Sequence, residues 1–298
     1  MIKKYDISTL NTDKFGEVTA CRKTPLLINL REGKTSRISL DALVKKSPEI
    51  PVTVRIYGNE RKTTPRDQWT SYCEYTSMSL EKYAQKIYDG SVVSQALYLA
   101  LFEIGETAIA DDFRPFLNEI SSATGLEKQS NNDINLWVAP GGHLEPLHFD
   151  GDDGTIIQLV GNKTVTLVSP KHSKNLYPFP WWKSGMPSTF SRVNLENIDH
   201  KKYPEATQAL NAAIQVSLNP GQALYIPAGW WHQVLSESTT KSVISINRFW
   251  KTQHRNLWRD RPRVAVTATL SNLLLKLRLN VDGTKKTHSS VRKSRQFP

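Results

Sequence analysis

His148-Phe149-Asp150 sets an imidazole and a carboxylate at positions i and i+2. On an extended run that spacing sends both side chains to the same face, one offering a nitrogen donor and the other a hard oxygen donor. A third donor is offered by His232, 84 residues after His148, at the end of Pro220-Gly221-Gln222-Ala223-Leu224-Tyr225-Ile226-Pro227-Ala228-Gly229-Trp230-Trp231-His232. That string reads as strand, turn and strand, which returns the chain toward the same lumen. Two histidines and one carboxylate on one side of a metal leave three coordination positions open, the arrangement that suits a non-heme Fe(II) centre. Singly, each residue has a blander use: His-x-Asp recurs by chance, and a lone histidine on a strand is often a hydrogen-bonded structural group. The combination, bracketed on both sides by strands, is what points to chemistry.

Strands are what must position these groups. From Asn135 to Trp250 short β-rich runs recur at 135–139, 155–160, 163–168, 222–226, 230–235 and 243–250, separated by Gly, Pro and Asn. Regular short strands with turn signals argue for a sandwich or barrel, and Gly161-Asn162 is a hairpin signal. Upstream, 24–30 and 52–57 read as strands. Ser39–Lys46 and Ser79–Tyr88 read as helices, with Ser39 and either Ser77 or Ser79 as N-caps. Residues 173–215 form one long connection containing Trp181, Trp182 and a helical stretch at 204–211, of the kind that covers or shapes a barrel site. In Lys163-Thr164-Val165-Thr166-Leu167-Val168, alternation puts Lys163 on the apolar face of Val165 and Leu167, where an ammonium needs an anionic partner.

The chain has 298 residues and a net charge of +11. Twelve Lys/Arg against two acids from Lys251 onward give that segment +10, so the body is nearly neutral and does not read as a nucleic-acid binder. The basic end would suit phosphates, or would simply be a solvated tail. Val264, Val266, Leu270, Leu273, Leu274 and Leu277 fall mostly at three- and four-residue steps, an apolar helical stripe for its own domain or a second subunit. No apolar span or leader is apparent, so a soluble, cytoplasmic protein with no membrane association is expected. Cys21 and Cys73, far apart in sequence, exclude a disulfide framework and are expected to be buried thiols.

Pro146–Asp150, Gln158–Lys163, Leu176–Pro180, Pro220–His232 and the closing Asn247-Arg248-Phe249-Trp250 resemble, in order and spacing over roughly 15–250, the JmjC-type, cupin-like (cupin_8) 2-oxoglutarate oxygenases. The likeness is to the small hydroxylase branch that includes the asparaginyl hydroxylase acting on hypoxia-inducible factor. It implies a mainly β fold with flanking helices, a double-stranded β-helix (jelly-roll) barrel. It also implies Fe(II) held by His148, Asp150 and His232, and 2-oxoglutarate as cosubstrate. In that branch a lysine at the position of Lys163 holds the distal carboxylate, a tyrosine at that of Tyr98 reaches the same carboxylate, and an asparagine at that of Asn247 lies near the iron-proximal end. The chain departs at Glu145, where the branch has Ser or Thr, and at Gly154, where it has Asn. A second carboxylate at 145 would repel the cosubstrate's unless protonated or turned away.

The resemblance implies hydroxylation of a side chain in a peptide or protein, consuming O2 and releasing succinate and CO2. Hydroxylation of RNA or a small natural-product precursor, and a non-catalytic cupin-like binding module, stay open beside it. Four regions are expected: 1–130 as helices and strands packed on the barrel, 131–250 as catalytic core, 251–281 as a helical extension suited to homodimerisation, and 282–298 as a basic, disordered tail.

Overall fold

The computed structural model describes residues 1–31, 37–56, 65, 74–128, 134–180, 188–238, 240–252 and 266. Their strands are β1 (Lys3–Asp6), β2 (Leu26–Asn29), β3 (Pro51–Ile56), β4 (Glu74–Ser79), β5 (Leu97–Glu103), β6 (Asn135–Pro140) and β7 (Leu144–Phe149), followed by β8 (Asp153–Val160), β9 (Lys163–Val168), β10 (Ile214–Leu218), β11 (Gln222–Ile226), β12 (Trp231–Ser236) and β13 (Ser242–Trp250). Among the described residues they form a nine-stranded sheet, β1-β2-β11-β8-β13-β6-β5-β3-β4, and a four-stranded sheet, β10-β9-β12-β7. β6, β8, β11 and β13 lie in the first, and β7, β9, β10 and β12 in the second, which is the expected double-stranded β-helix. The β8–β9 turn depends on Gly161, whose φ of +67° favours glycine and whose Cβ, if present, would meet Thr240 Oγ1 at 2.6 Å.

Helices Thr12–Val18, Leu40–Lys46, Leu80–Tyr88 and Arg114–Thr124 bury one face each against the large sheet. Ser39 and Ser79 cap the second and third, their hydroxyls accepting from the N–H of Ala42 (3.1 Å) and Lys82 (3.2 Å). Phe15, Leu43, Ile87, Phe116 and Ile120 join Ile28, Val54, Leu136 and Ile246 in one cluster, each large side chain contributing roughly 1.5–3 kcal/mol on burial. Tyr83 has a second task. β5 slips register against β6 between Leu99 and Phe102, and the buried Tyr83 hydroxyl accepts from Leu99 N–H (3.1 Å) and donates to Val138 C=O (2.8 Å). It satisfies ladder groups beside the irregularity.

The long connection covers the outer face of the small sheet. The 3-10 turn Pro170–Leu176 and helix Ala206–Asn211 bring Leu176 and Ala209 against Leu147, Phe149, Val168 and Trp231. Trp181, Trp182 and Cys73 lie outside the described residues, as do the tail 282–298 and all of the expected helical extension 251–281 except Lys251, Thr252 and the exposed Val266. Cys21 corrects an expectation: it is exposed, within a run of positive φ (Ala20 51°, Cys21 56°, Arg22 66°) that turns its side chain away from the core. No helix among the described residues is long and apolar enough to cross a membrane.

Candidate metal centre

β7 and β12 pair so that His232 stands opposite His148, with ring centroids 4.2 Å apart. Asp150 follows β7 directly, its Oδ1 4.0 Å from His148 Nε2 and its Oδ2 3.5 Å from His232 Nε2. One ligand atom from each of the three lies within 4.8 Å of the others. His148 Nδ1 is 2.7 Å from the carbonyl of Pro146, and His232 Nδ1 is 3.0 Å from that of Trp230. A carbonyl can only accept, so each Nδ1 donates a proton to its carbonyl and each Nε2 faces Asp150. Burial, and then the neighbouring His148, lower the His232 pKa to about 4 and keep it neutral. Two imidazole Nε2 atoms and one carboxylate on one side suit Fe(II) with open positions opposite. Phe190 stacks on the His148 ring at 5.1 Å. The segment around Phe190 bridges the free edge of β7 through Phe149 N–H to Thr189 C=O (3.0 Å) and Ser191 N–H to Leu147 C=O (2.9 Å).

The triad forms one wall of a cavity between the two sheets. Lys163, Tyr98 and Asn247 also line it, all 6 % exposed or less. Alternation puts Lys163 inside β9 with Val165 and Leu167, both fully buried. Among the described residues its Nζ donates to Ser245 Oγ (2.5 Å) and pairs with no carboxylate. Burial lowers its pKa to about 8, against an opposing pull from Glu145. A buried ammonium hydrogen-bonded to a hydroxyl and to no carboxylate among the described residues suits a ligand carboxylate. Tyr98 packs on His143 at 3.7 Å. Asn247 accepts from Trp137 Nε1 through Oδ1 (2.7 Å), which leaves its amide protons for a ligand.

Glu145 is neither turned away nor protonated. β7 carries an irregularity against β12, where His148 to Glu145 spans three residues opposite the two from His232 to Val234. This bulge brings Glu145 onto the cavity face that simple alternation from His148 would deny it. Burial pushes its pKa up, but His143, Arg55 and His148 outweigh that and hold it down at about 2. His143 Nε2 stands 3.7 Å from its carboxylate. Gly154 lines the same cavity, with Phe249 in ordinary contact at 3.7 Å from where a Cβ would stand.

Sequence reading missed Arg55, Ser245 and Phe190. Arg55 is 7 % exposed, lines the cavity and sits opposite Tyr98 in the β3–β5 register. Its only local signal is a charge inside the apolar strand Val52-Thr53-Val54-Arg55-Ile56.

Comparison with known proteins places these features in context. The family model described as "Cupin-like domain" matches residues 20–256. JmjC domain-containing protein D of Dictyostelium discoideum is 40% identical over 116 residues, 39% of this chain and 25% of that protein. Lysine-specific demethylase JMJ31 of Arabidopsis thaliana is 33% identical over 136 residues, 46% of this chain and 24% of that protein. HSPB1-associated protein 1 of Bos taurus is 28% identical over 213 residues, 65% of this chain and 41% of that protein. The matched part is thus less than half the length of each relative.

Proposed function

Because the chain belongs to the cupin-like domain family, in its JmjC form, we propose that it is an Fe(II)- and 2-oxoglutarate-dependent oxygenase that hydroxylates a side chain of a peptide or protein. The observation that carries this reading is the meeting of two Nε2 atoms and the Asp150 carboxylate with a buried Lys163, bonded among the described residues to Ser245 and to no carboxylate, in one cavity. When bound, iron and 2-oxoglutarate supply the oxidant from O2, with succinate and CO2 released.

The chain's own residues do the rest. His148, Asp150 and His232 would hold the iron, with the two backbone carbonyls fixing the imidazole tautomers. Lys163, aided by Tyr98, would take the distal carboxylate, and Asn247, steadied by Trp137, would donate near the metal end. His143 and Arg55 both draw on the Glu145 carboxylate, whose pull on Lys163 does not overcome the effect of burial there. Phe190, stacked on the His148 ring, gives the wall beside the triad an apolar surface.

A protein substrate is favoured by relatives whose names denote lysine demethylases, since N-demethylation also begins with hydroxylation of a C–H bond. The test is incubation of the purified protein with Fe(II), 2-oxoglutarate, O2 and a peptide library, followed by mass spectrometry. A gain of one oxygen in a peptide, matched by succinate, is expected. Loss of a methyl group would redirect the assignment to demethylation. Oxygen entering only RNA or small molecules would refute the protein-substrate reading.

A further inference from the structure

Three consecutive non-glycine residues at positive φ, Ala20, Cys21 and Arg22, form a costly turn 126 or more residues before the nearest metal ligand. The turn presents Arg22 to Asp153, which is 3 % exposed. Arg22 Nε donates to Asp153 Oδ2 (2.7 Å), Nη2 bonds the same oxygen, and Nη2 also donates to the carbonyl of Lys251 (2.9 Å). The Tyr225 hydroxyl donates to Asp153 Oδ2 (2.9 Å), Ala228 N–H donates to Oδ1 (2.8 Å), and Asp153 N–H donates to Thr252 Oγ1 (2.8 Å).

Asp153 lies three residues after the ligand Asp150, and Ala228 lies four before the ligand His232. A second bond ties the same two turns, from Gly229 N–H to the carbonyl of Asp150 (2.8 Å). The route continues to the other ligand: Trp230 Nε1 donates to the carbonyl of Lys23, next to Arg22 (2.8 Å), and the Trp230 carbonyl accepts from His232 Nδ1 (3.0 Å).

We propose that the Arg22–Asp153 ion pair is a positioning clamp for the metal centre. It fixes the turn after Asp150 against the turn before His232, and so sets metal affinity and coordination geometry although neither residue touches the metal. A fork-shaped guanidinium is suited to this because it bonds a carboxylate and a carbonyl in one plane, which a lysine cannot do. The clamp rests on the metal-centre reading given above, and the experiment separates the two.

The full chain is titrated with Co(II) and followed by its visible ligand-field bands. Outer partners of metal sites typically tune affinity 10- to 100-fold, so Arg22→Ala is expected to raise the Co(II) Kd at least tenfold and to shift the bands at saturating metal. Lys46→Ala, which removes an ion pair to Asp112 far along the sequence from the ligands, is expected to change neither. Should Arg22→Ala fail to fold by circular dichroism, Arg22→Lys, which keeps the charge and loses the fork, is read by the same two measurements. A variant within twofold of wild type with superimposable bands overturns the clamp. Wild-type Co(II) binding by Asp150→Ala overturns the metal-centre reading and the clamp with it.

Discussion

Replacing Lys163 by Met deletes the ammonium, keeps the unbranched stem and should move stability and ligand affinity in opposite directions. In the ligand-free protein the pKa falls from 10.5 to about 8 through burial. The unfolded chain holds the proton up to its ordinary pKa, whereas the folded protein releases it at about 8. Between those values the unfolded state binds more protons, so wild-type stability rises with pH across that window and carries the full penalty below it. The gap is on the order of 3 kcal/mol. At pH 7 Lys163→Met should therefore be at least as stable as wild type, less the bond to Ser245, and its stability should be flat between pH 8 and 10.5. With 2-oxoglutarate the sign reverses: truncating one side of a buried charge pair costs roughly 2–5 kcal/mol, ~30-fold in affinity at the low end. Urea unfolding across pH 7–10.5 and calorimetric titration of the Mn(II)-loaded protein with 2-oxoglutarate measure the two effects. Unchanged 2-oxoglutarate affinity, or a variant that keeps the wild-type rise in stability above pH 8, would refute the role given to this ammonium.

Glu145→Gln removes an ionised carboxylate from the cavity that must accept a dianion. Calorimetry should show 2-oxoglutarate binding tighter by about 1 kcal/mol, roughly fivefold. Gly161→Ala forces a left-handed backbone and a contact with Thr240. A loss of about 2 kcal/mol or more in urea unfolding is expected, and a loss below about 0.5 kcal/mol would count against the turn's geometry. Ser79→Ala removes the hydroxyl that caps helix Leu80–Tyr88, for a cost of about 1 kcal/mol by the same assay.

The barrel strands and the triad were legible because local chemistry carried them. Val165 and Leu167 alternate with threonines, glycine marks the hairpin at 161, and a His-x-Asp pair shares a face without reference to anything distant. Lys163 was legible for the same reason, as a charge on an apolar face. What stayed hidden depends on register between strands remote in sequence. Glu145 reaches the cavity only through the bulge in β7 against β12. Arg55 alternates out of phase with Val52 and Val54, on the face where Pro51 and Thr53 are exposed, yet at its own position that face is closed by the cavity. Cys21 was expected inside on composition alone, whereas the positive-φ turn that aims Arg22 leaves it exposed.

The central claim is that His148, Asp150 and His232 support oxygenase chemistry on 2-oxoglutarate. It is tested most directly by supplying the protein with Fe(II), 2-oxoglutarate and ¹⁸O₂ and measuring the succinate by mass spectrometry. One labelled oxygen per succinate is predicted for the wild type, with no succinate above the protein-free background for Asp150→Ala. Unlabelled succinate, or equal production by the folded Asp150→Ala variant, would contradict the account.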